Sequence, residues 1–269
     1  MTPRKFRELV LAYYASLGRH TLPWRKTRDP YHILVSEMML QQTQVERVVP
    51  YYTSFLKKFP SVSSLAKAPL SSVLREWQGL GYNRRAKYLK EAAQEVVALH
   101  GGVFPKTPEE LQALPGIGSY TARAVCAFAY NTDVVCIETN IRTVVLHHFF
   151  SEAEHVSDAE VLHVLEKALP KGNAREWYAA LMDYGTYLKR TGASQNKRST
   201  TYKKQKAFKG SRREVRGALL KALVQSPATK ATLLKLFPKE RVQEVDEQIT
   251  VLLREGLIQK RRSTYTLAD

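Results

Sequence analysis

Apolar residues recur at helical spacing along almost the whole chain and alternate at strand spacing only near its end. In PRKFRELVLAYYASLG, residues Phe6, Leu9, Val10, Tyr13 and Leu17 share one face and predict an amphipathic helix. A second helix is expected over 30–48, with Asp29 as N-cap and Pro30 at the first helical position. Further helices are expected near 62–67, 70–77, 84–99, 108–113, 119–130, 140–149, 158–168 and 174–188. Short helices with brief connections predict a compact all-α body. From 189 to 213 the pattern breaks, with ten basic residues, no acids and no apolar stripe, so a basic linker is expected over 189–211.

Beyond the linker, REVRGALLKALVQS, PATKATLLKLF and RVQEVDEQITVLLREG each predict a helix, the last ended by Gly256. LIQKRRSTYTLA then alternates as a short hairpin. Three helices and a hairpin over 212–269 resemble a winged helix, an α+β unit that binds DNA in some proteins and contacts protein in others.

Charge narrows the partner. Lys and Arg number 42 against 25 acids, a net charge of +17, which favours a polyanion and nucleic acid before anionic lipid. No apolar run approaches the roughly 18 to 20 residues of a membrane span, and the N-terminus has no signal-peptide core, so no membrane association and a cytoplasmic, nucleoid-associated location are expected. Cys126 and Cys136 form no C-x-x-C pair and fall in apolar stretches, where small buried residues are expected and a metal site is not.

Three segments carry candidate chemistry. LQALPGIGSYTARAV (111–125) follows a capping box formed by Thr107 and Glu110. Gly116 and Gly118 flank Ile117 in a tight hairpin before a helix starting at Ser119, an arrangement that holds a phosphate without reading sequence. In DPYHILVSEMMLQQTQVERVVPYY (29–52), a single helix would put Leu34, Met38, Val45 and Val49 on a core face, with Glu37, Gln41 and Gln44 on an adjacent one. Apolar neighbours would raise the pKa of Glu37 and let it hold a proton. In VVCIETNIRTVVLHHFF (134–150), Glu138 precedes a helix start near Asn140, where the helix dipole favours the ionised carboxylate. Two carboxyls pushed apart in pKa can serve as acid and as fixed anion.

LPWR (22–25), SEMMLQQTQV (36–45), GLGYNRRAKYL (79–89), LPGIGSYTA (114–122) and LMDYG (181–185) resemble the MutY-type A/G-mismatch adenine DNA glycosylases of the helix–hairpin–helix superfamily, which also contains endonuclease III. The likeness runs from about residue 3 to 188. It implies a two-lobed helix–hairpin–helix core over 1–188, with lobes at 22–135 and at 1–21 plus 136–188. It also implies a monomer acting on double-stranded DNA at a mismatch or lesion. Glu37 matches the family's general acid, Glu138 its second carboxylate, and Asn140 the following Asn. Tyr120 stands where lyase relatives carry Lys, which implies hydrolysis without strand nicking. Gln42 and Tyr82 match residues that wedge into the duplex beside an extruded base, and Gln41, Arg84, Gly116, Gly118 and Ser119 match the DNA-binding surface.

The chain departs from the family in three places. The cysteines of the family's iron–sulfur cluster are replaced by Lys189, Asn196, Ser199 and Gln205, so neither a cluster nor any other cofactor is expected. The sequence ends after a winged-helix-like segment of 58 residues, without the NUDIX-like domain that reads 8-oxoguanine. The second carboxylate is Glu where the family has Asp, which implies either a pocket shifted toward another base or a slowed enzyme. Excision of thymine or uracil opposite guanine, and damage binding without catalysis, are the alternative functions.

Overall fold

Local signals set most helix boundaries. In the computed structural model, which describes residues 1–194, 196–201 and 207–269, the first helices are α1 (Pro3–Leu17), α2 (Pro30–Leu40), α3 (Val45–Lys58), α4 (Val62–Lys67) and α5 (Leu70–Glu76). The body continues with α6 (Arg84–His100), α7 (Pro108–Ala113), α8 (Ser119–Tyr130), α9 (Thr139–Phe149), α10 (Asp158–Ala168) and α11 (Ala174–Arg190). Then follow α12 (Arg212–Gln225), β1 (Ala228–Thr229), α13 (Lys230–Leu234), α14 (Val242–Arg254), β2 (Ile258–Arg261) and β3 (Thr264–Leu267). Caps account for the starts: Thr2 accepts from Lys5, Asp29 from Tyr31 at 2.8 Å, and Thr107 from Glu110 at 3.3 Å. Reciprocal capping boxes start α4 at Ser61 and α10 at Ser157.

The single helix expected over 30–48 is two helices. Gln42 adopts a left-handed φ of 56° between α2 and α3. The cause is tertiary: the buried Arg85 guanidinium donates to the carbonyls of Met38, Met39 and Gln41 at 2.6–3.0 Å, satisfying the end of α2 from outside the helix. Gln41 and Gln44 therefore do not extend the face of Glu37, and Val45 and Val49 do not extend the stripe of Leu34 and Met38.

The chain divides into two compact units. The first comprises the described residues of Met1–Glu37, Lys106–Ala113 and Ile117–Lys204. Its core packs Phe6 edge-on to Phe149 and Trp177, with Val10, Ile141, Val145, Leu165 and Leu181 around them. The second comprises the described residues of Met38–Pro105, Leu114–Gly116 and Gln205–Asp269. These limits differ from the lobes expected at 22–135 and at 1–21 plus 136–188. One reason is that Leu114–Gly116 belong with Tyr88: a Cβ on Gly116 would lie 2.4 Å from that side chain.

In the second unit, Phe55 packs against Phe59 and edge-on to Trp77. The C-terminal helices carry a three-stranded antiparallel sheet of order β1-β3-β2. This segment is tied to the rest of its unit: Lys87 donates to the Glu255 carbonyl at 2.6 Å, and Ser71 to Asp269 at 2.7 Å. Within 189–211, Lys189 and Arg190 complete α11, and Ser199 forms a parallel bridge with Val156 in the first unit. Among the described residues, no helix is long and apolar enough to cross a membrane.

Candidate active site

Helix α2 is buried from Ile33 to Met39, so a carboxyl at position 37 is largely shielded from solvent. Glu37 is 7% exposed. Burial pushes its carboxyl up to about 7, a hydrogen bond from Tyr120 opposes that rise, and the charge of Glu138 adds to it. Glu37 in turn helps push the Tyr120 phenol far above its ordinary range, after burial. A carboxyl poised at neutrality can donate a proton there, which is the expectation the apolar neighbours set.

Glu138 is the N-cap of α9. Its Oε1 accepts from the backbone amides of Asn140 and Ile141, the latter at 2.9 Å, and its Oε2 faces Asn140 Nδ2 at 3.4 Å. The additional methylene of Glu relative to Asp is thus taken up by folding back onto the helix start. The dipole was expected to favour the ionised form. The structure reverses the balance: burial pushes the carboxyl above its ordinary value, while the amide of Ile141, the Lys189 ammonium and the amide of Asn140 pull the other way. The Lys189 ammonium donates to Asn140 Oδ1 at 2.7 Å.

The motifs LPWR and LMDYG meet behind this pair. Asp183, 3% exposed, accepts from the Arg19 amide at 2.7 Å and from the guanidinium groups of Arg19 and Arg25 at 2.9 and 3.1 Å. Gly185 lets α11 approach α9, since a Cβ there would lie 2.3 Å from the Asn140 carbonyl oxygen. Cys136 is buried near both carboxyls and burial holds its thiol protonated, while Cys126 is raised to about 11. Both cysteines are the small buried residues expected.

The hairpin between α7 and α8 exposes Gly116, Gly118 and Ser119, while Leu111, Leu114 and Ile117 are buried. Gly116 has φ 72°, a conformation open to glycine, and Gly118 caps α8. Arg123, absent from the sequence expectations, donates to the Ser119 hydroxyl and brings a cation to the helix start. Its signal was an Arg four residues after Ser119, the spacing of one helical turn.

The wedge candidates lie in the second unit. Gln42 and Tyr82 are exposed, and both have left-handed backbone, φ 56° and 47°. Such strain in non-glycine residues clusters at functional turns. Arg213 donates to the Tyr82 hydroxyl at 2.9 Å. Gln41 contacts Met38 Sδ at 3.6 Å, and Arg84 lies over the Tyr88 ring and donates to its hydroxyl. Lys189 is the residue near the carboxyls that sequence reasoning assigned no role at the site.

The chain is similar to known proteins in both sequence and fold. Residues 35–171 match the HhH-GPD family, described as HhH-GPD superfamily base excision DNA repair protein. The adenine DNA glycosylase of Mycolicibacterium smegmatis is 35% identical over 93% of this chain and 92% of its own length. That of Buchnera aphidicola subsp. Baizongia pistaciae is also 35% identical, over 70% of this chain, and the matched region spans 54% of that relative. A thermostable thymine-DNA glycosylase structure is similar with a TM-score of 0.62 and 29% identity, covering 68% of this chain and 85% of its own. An endonuclease III–DNA complex shares the fold at TM-score 0.59 and 19% identity, over 73% and 91% of the two chains. With the paired carboxyls and the helix–hairpin–helix in place, this chain belongs to the HhH-GPD superfamily of base excision DNA repair proteins.

Proposed function

We infer that the protein is a monofunctional DNA glycosylase that removes adenine from a mispaired or damage-opposed site in double-stranded DNA. The observation that carries this reading is Glu37, a buried carboxyl raised to about 7 and hydrogen-bonded by Tyr120, with the Glu138 carboxyl as its neighbour. The choice of adenine is supported by the names of the mycobacterial and Buchnera relatives. The target base must leave the duplex before its glycosidic bond is accessible. Glu37 then gives its proton to the departing base as the glycosidic bond breaks, Glu138 stabilises the cationic sugar, and water adds at the anomeric carbon, returning a proton to the Glu37 carboxylate. Tyr120 offers no amine, and the Lys189 ammonium is held on Asn140, so an abasic site without a strand break is the expected product.

The reading includes no iron–sulfur cluster. Its support is the donor chemistry: Lys189, Asn196 and Ser199 present an ammonium, an amide and a hydroxyl. Lys189 and Asn196 are bonded to α9 and Ser199 to Thr201, and Gln205 lies outside the described residues. The protein is proposed to act as a monomer in the cytoplasm.

The test is a single-turnover assay on duplexes carrying A, T or U opposite G or 8-oxoguanine, with strands resolved before and after alkali. Adenine release, with breaks appearing only after alkali, is expected. Faster release of T opposite G would move the substrate to that of the thymine-DNA glycosylase neighbour, and release of no base from any duplex would leave a DNA-binding protein.

A further inference from the structure

Lys189 stands in the last turn of α11 and turns its ammonium inward, to Asn140 in the first turn of α9. An ammonium has donors and no acceptor, so the Asn140 amide must present its oxygen to Lys189. Its Nδ2 is thereby directed to Glu138 Oε2 at 3.4 Å and to Met182 Sδ at 3.8 Å. The reverse orientation would set the amide oxygen against the carboxylate. A second residue from the same stretch, the buried Asn196, accepts from Thr143 Oγ1 at 3.1 Å and donates to the Thr139 carbonyl at 3.4 Å. The start of α9 is therefore held from outside the helix by two side chains.

We propose that Lys189 is a positioning residue for the glycosylase reaction: it fixes the Asn140 amide toward Glu138 and supplies positive charge opposite that carboxylate. The proposal rests on the glycosylase reading above. Other groups around Glu138 do not replace it. Arg142, on α9 itself, is paired with Asp158 at 2.7 Å. Arg25, which acts on Glu37, is paired with Asp183 at 3.1 Å. Glu37 on α2, Tyr120 on α8 and Cys136 before α9 disfavour a second negative charge. Lys189 answers in kind, since burial lowers its own pKa and Glu138 opposes that fall. At the position that the resemblance gives to a cluster cysteine, this chain has a cation committed to the residue whose amide faces Glu138.

The test compares the full-length wild type with Lys189→Met, Lys189→Arg, Asn140→Ala and the Lys189→Met/Asn140→Ala double variant. Carbon-13 titration of the Glu138 carboxyl, assigned with Glu138→Gln, should move up by about one pH unit in Lys189→Met and return toward wild type in Lys189→Arg. Single-turnover excision by Lys189→Met should fall about tenfold, with the acid limb of its pH profile displaced in the same direction. The double variant should lose less than the sum of the two single losses, because the orienting part of each acts through one amide. Should Lys189→Met not fold by circular dichroism, Lys189→Gln serves as the uncharged variant. An unchanged Glu138 titration in the folded uncharged variant overturns the proposal, as does additive loss in the double variant. A wild type that releases no base fails the glycosylase reading alone, because the carboxyl titration still decides the role of Lys189.

Discussion

At the residue scale, the two carboxyls have different roles; burial pushes both upward, and at Glu138 the amide of Ile141, the Lys189 ammonium and the amide of Asn140 oppose that rise. Glu37 is buried among apolar side chains, so its ionisation is disfavoured until about pH 7. Its folded pKa lies above the ordinary carboxylate value. Stability therefore falls as pH rises between the two values and stays reduced above the folded one. Glu37→Gln should abolish excision, a loss of roughly 10²- to 10⁴-fold, while melting a few degrees higher than wild type at pH 8 and about equally at pH 4.5. Thermal melts at both pH values check this. Glu138 was legible as an acid out of place in an apolar run, and its neighbour Asn140 pointed to a helix start. Lys189 was not legible as a partner, because the contact spans 49 residues and the segment reads as a solvated basic run. Glu138→Asp should keep the cap, since Asp is a good N-cap residue, but draw the carboxylate away from Asn140 Nδ2. A single-turnover rate about tenfold slower is expected; a faster one would mean that the natural Glu is a compromised stabiliser.

At the scale of elements, sequence served best where a boundary is local. Helices over 62–67, 108–113, 119–130 and 158–168 run as expected, because Ser61, Thr107, Gly118 and Ser157 stand at their starts. It failed at 41–44, where the turn depends on Arg85, more than 40 residues away. Two element contacts support the site and can be tested. Gly185→Ala would press a Cβ onto the Asn140 carbonyl oxygen, forcing α9 and α11 apart. A stability loss of about 1–3 kcal/mol by denaturant unfolding is expected, with slower excision because Glu138 moves with α9. Asp183→Asn leaves Arg25 without its buried counter-charge and should cost about 3–5 kcal/mol.

At the scale of the whole molecule, the net charge of +17 is the property read directly from composition. Binding to duplex DNA should weaken steeply with salt and depend little on sequence, the signature of phosphate contacts. Titrating a matched duplex between about 50 and 200 mM salt measures the slope; a salt-independent affinity would contradict it. The winged-helix-like segment was legible as three helices and a hairpin, and its third strand, β1, was not, being two residues long. Its attachment through Lys87–Glu255 and Ser71–Asp269 depends on partners distant in sequence. In the second unit this segment buttresses the helices it docks on.

The central claim is that a buried Glu37 donates the proton that releases adenine. The most direct measurement is the single-turnover rate of adenine release from an A-mismatched duplex across pH 5 to 9, for wild type and Glu37→Gln. The account predicts an alkaline limb with a midpoint near 7 in the wild type and no measurable release by the variant. A wild-type rate that stays level through pH 9, or a Glu37→Gln rate equal to wild type, would contradict it.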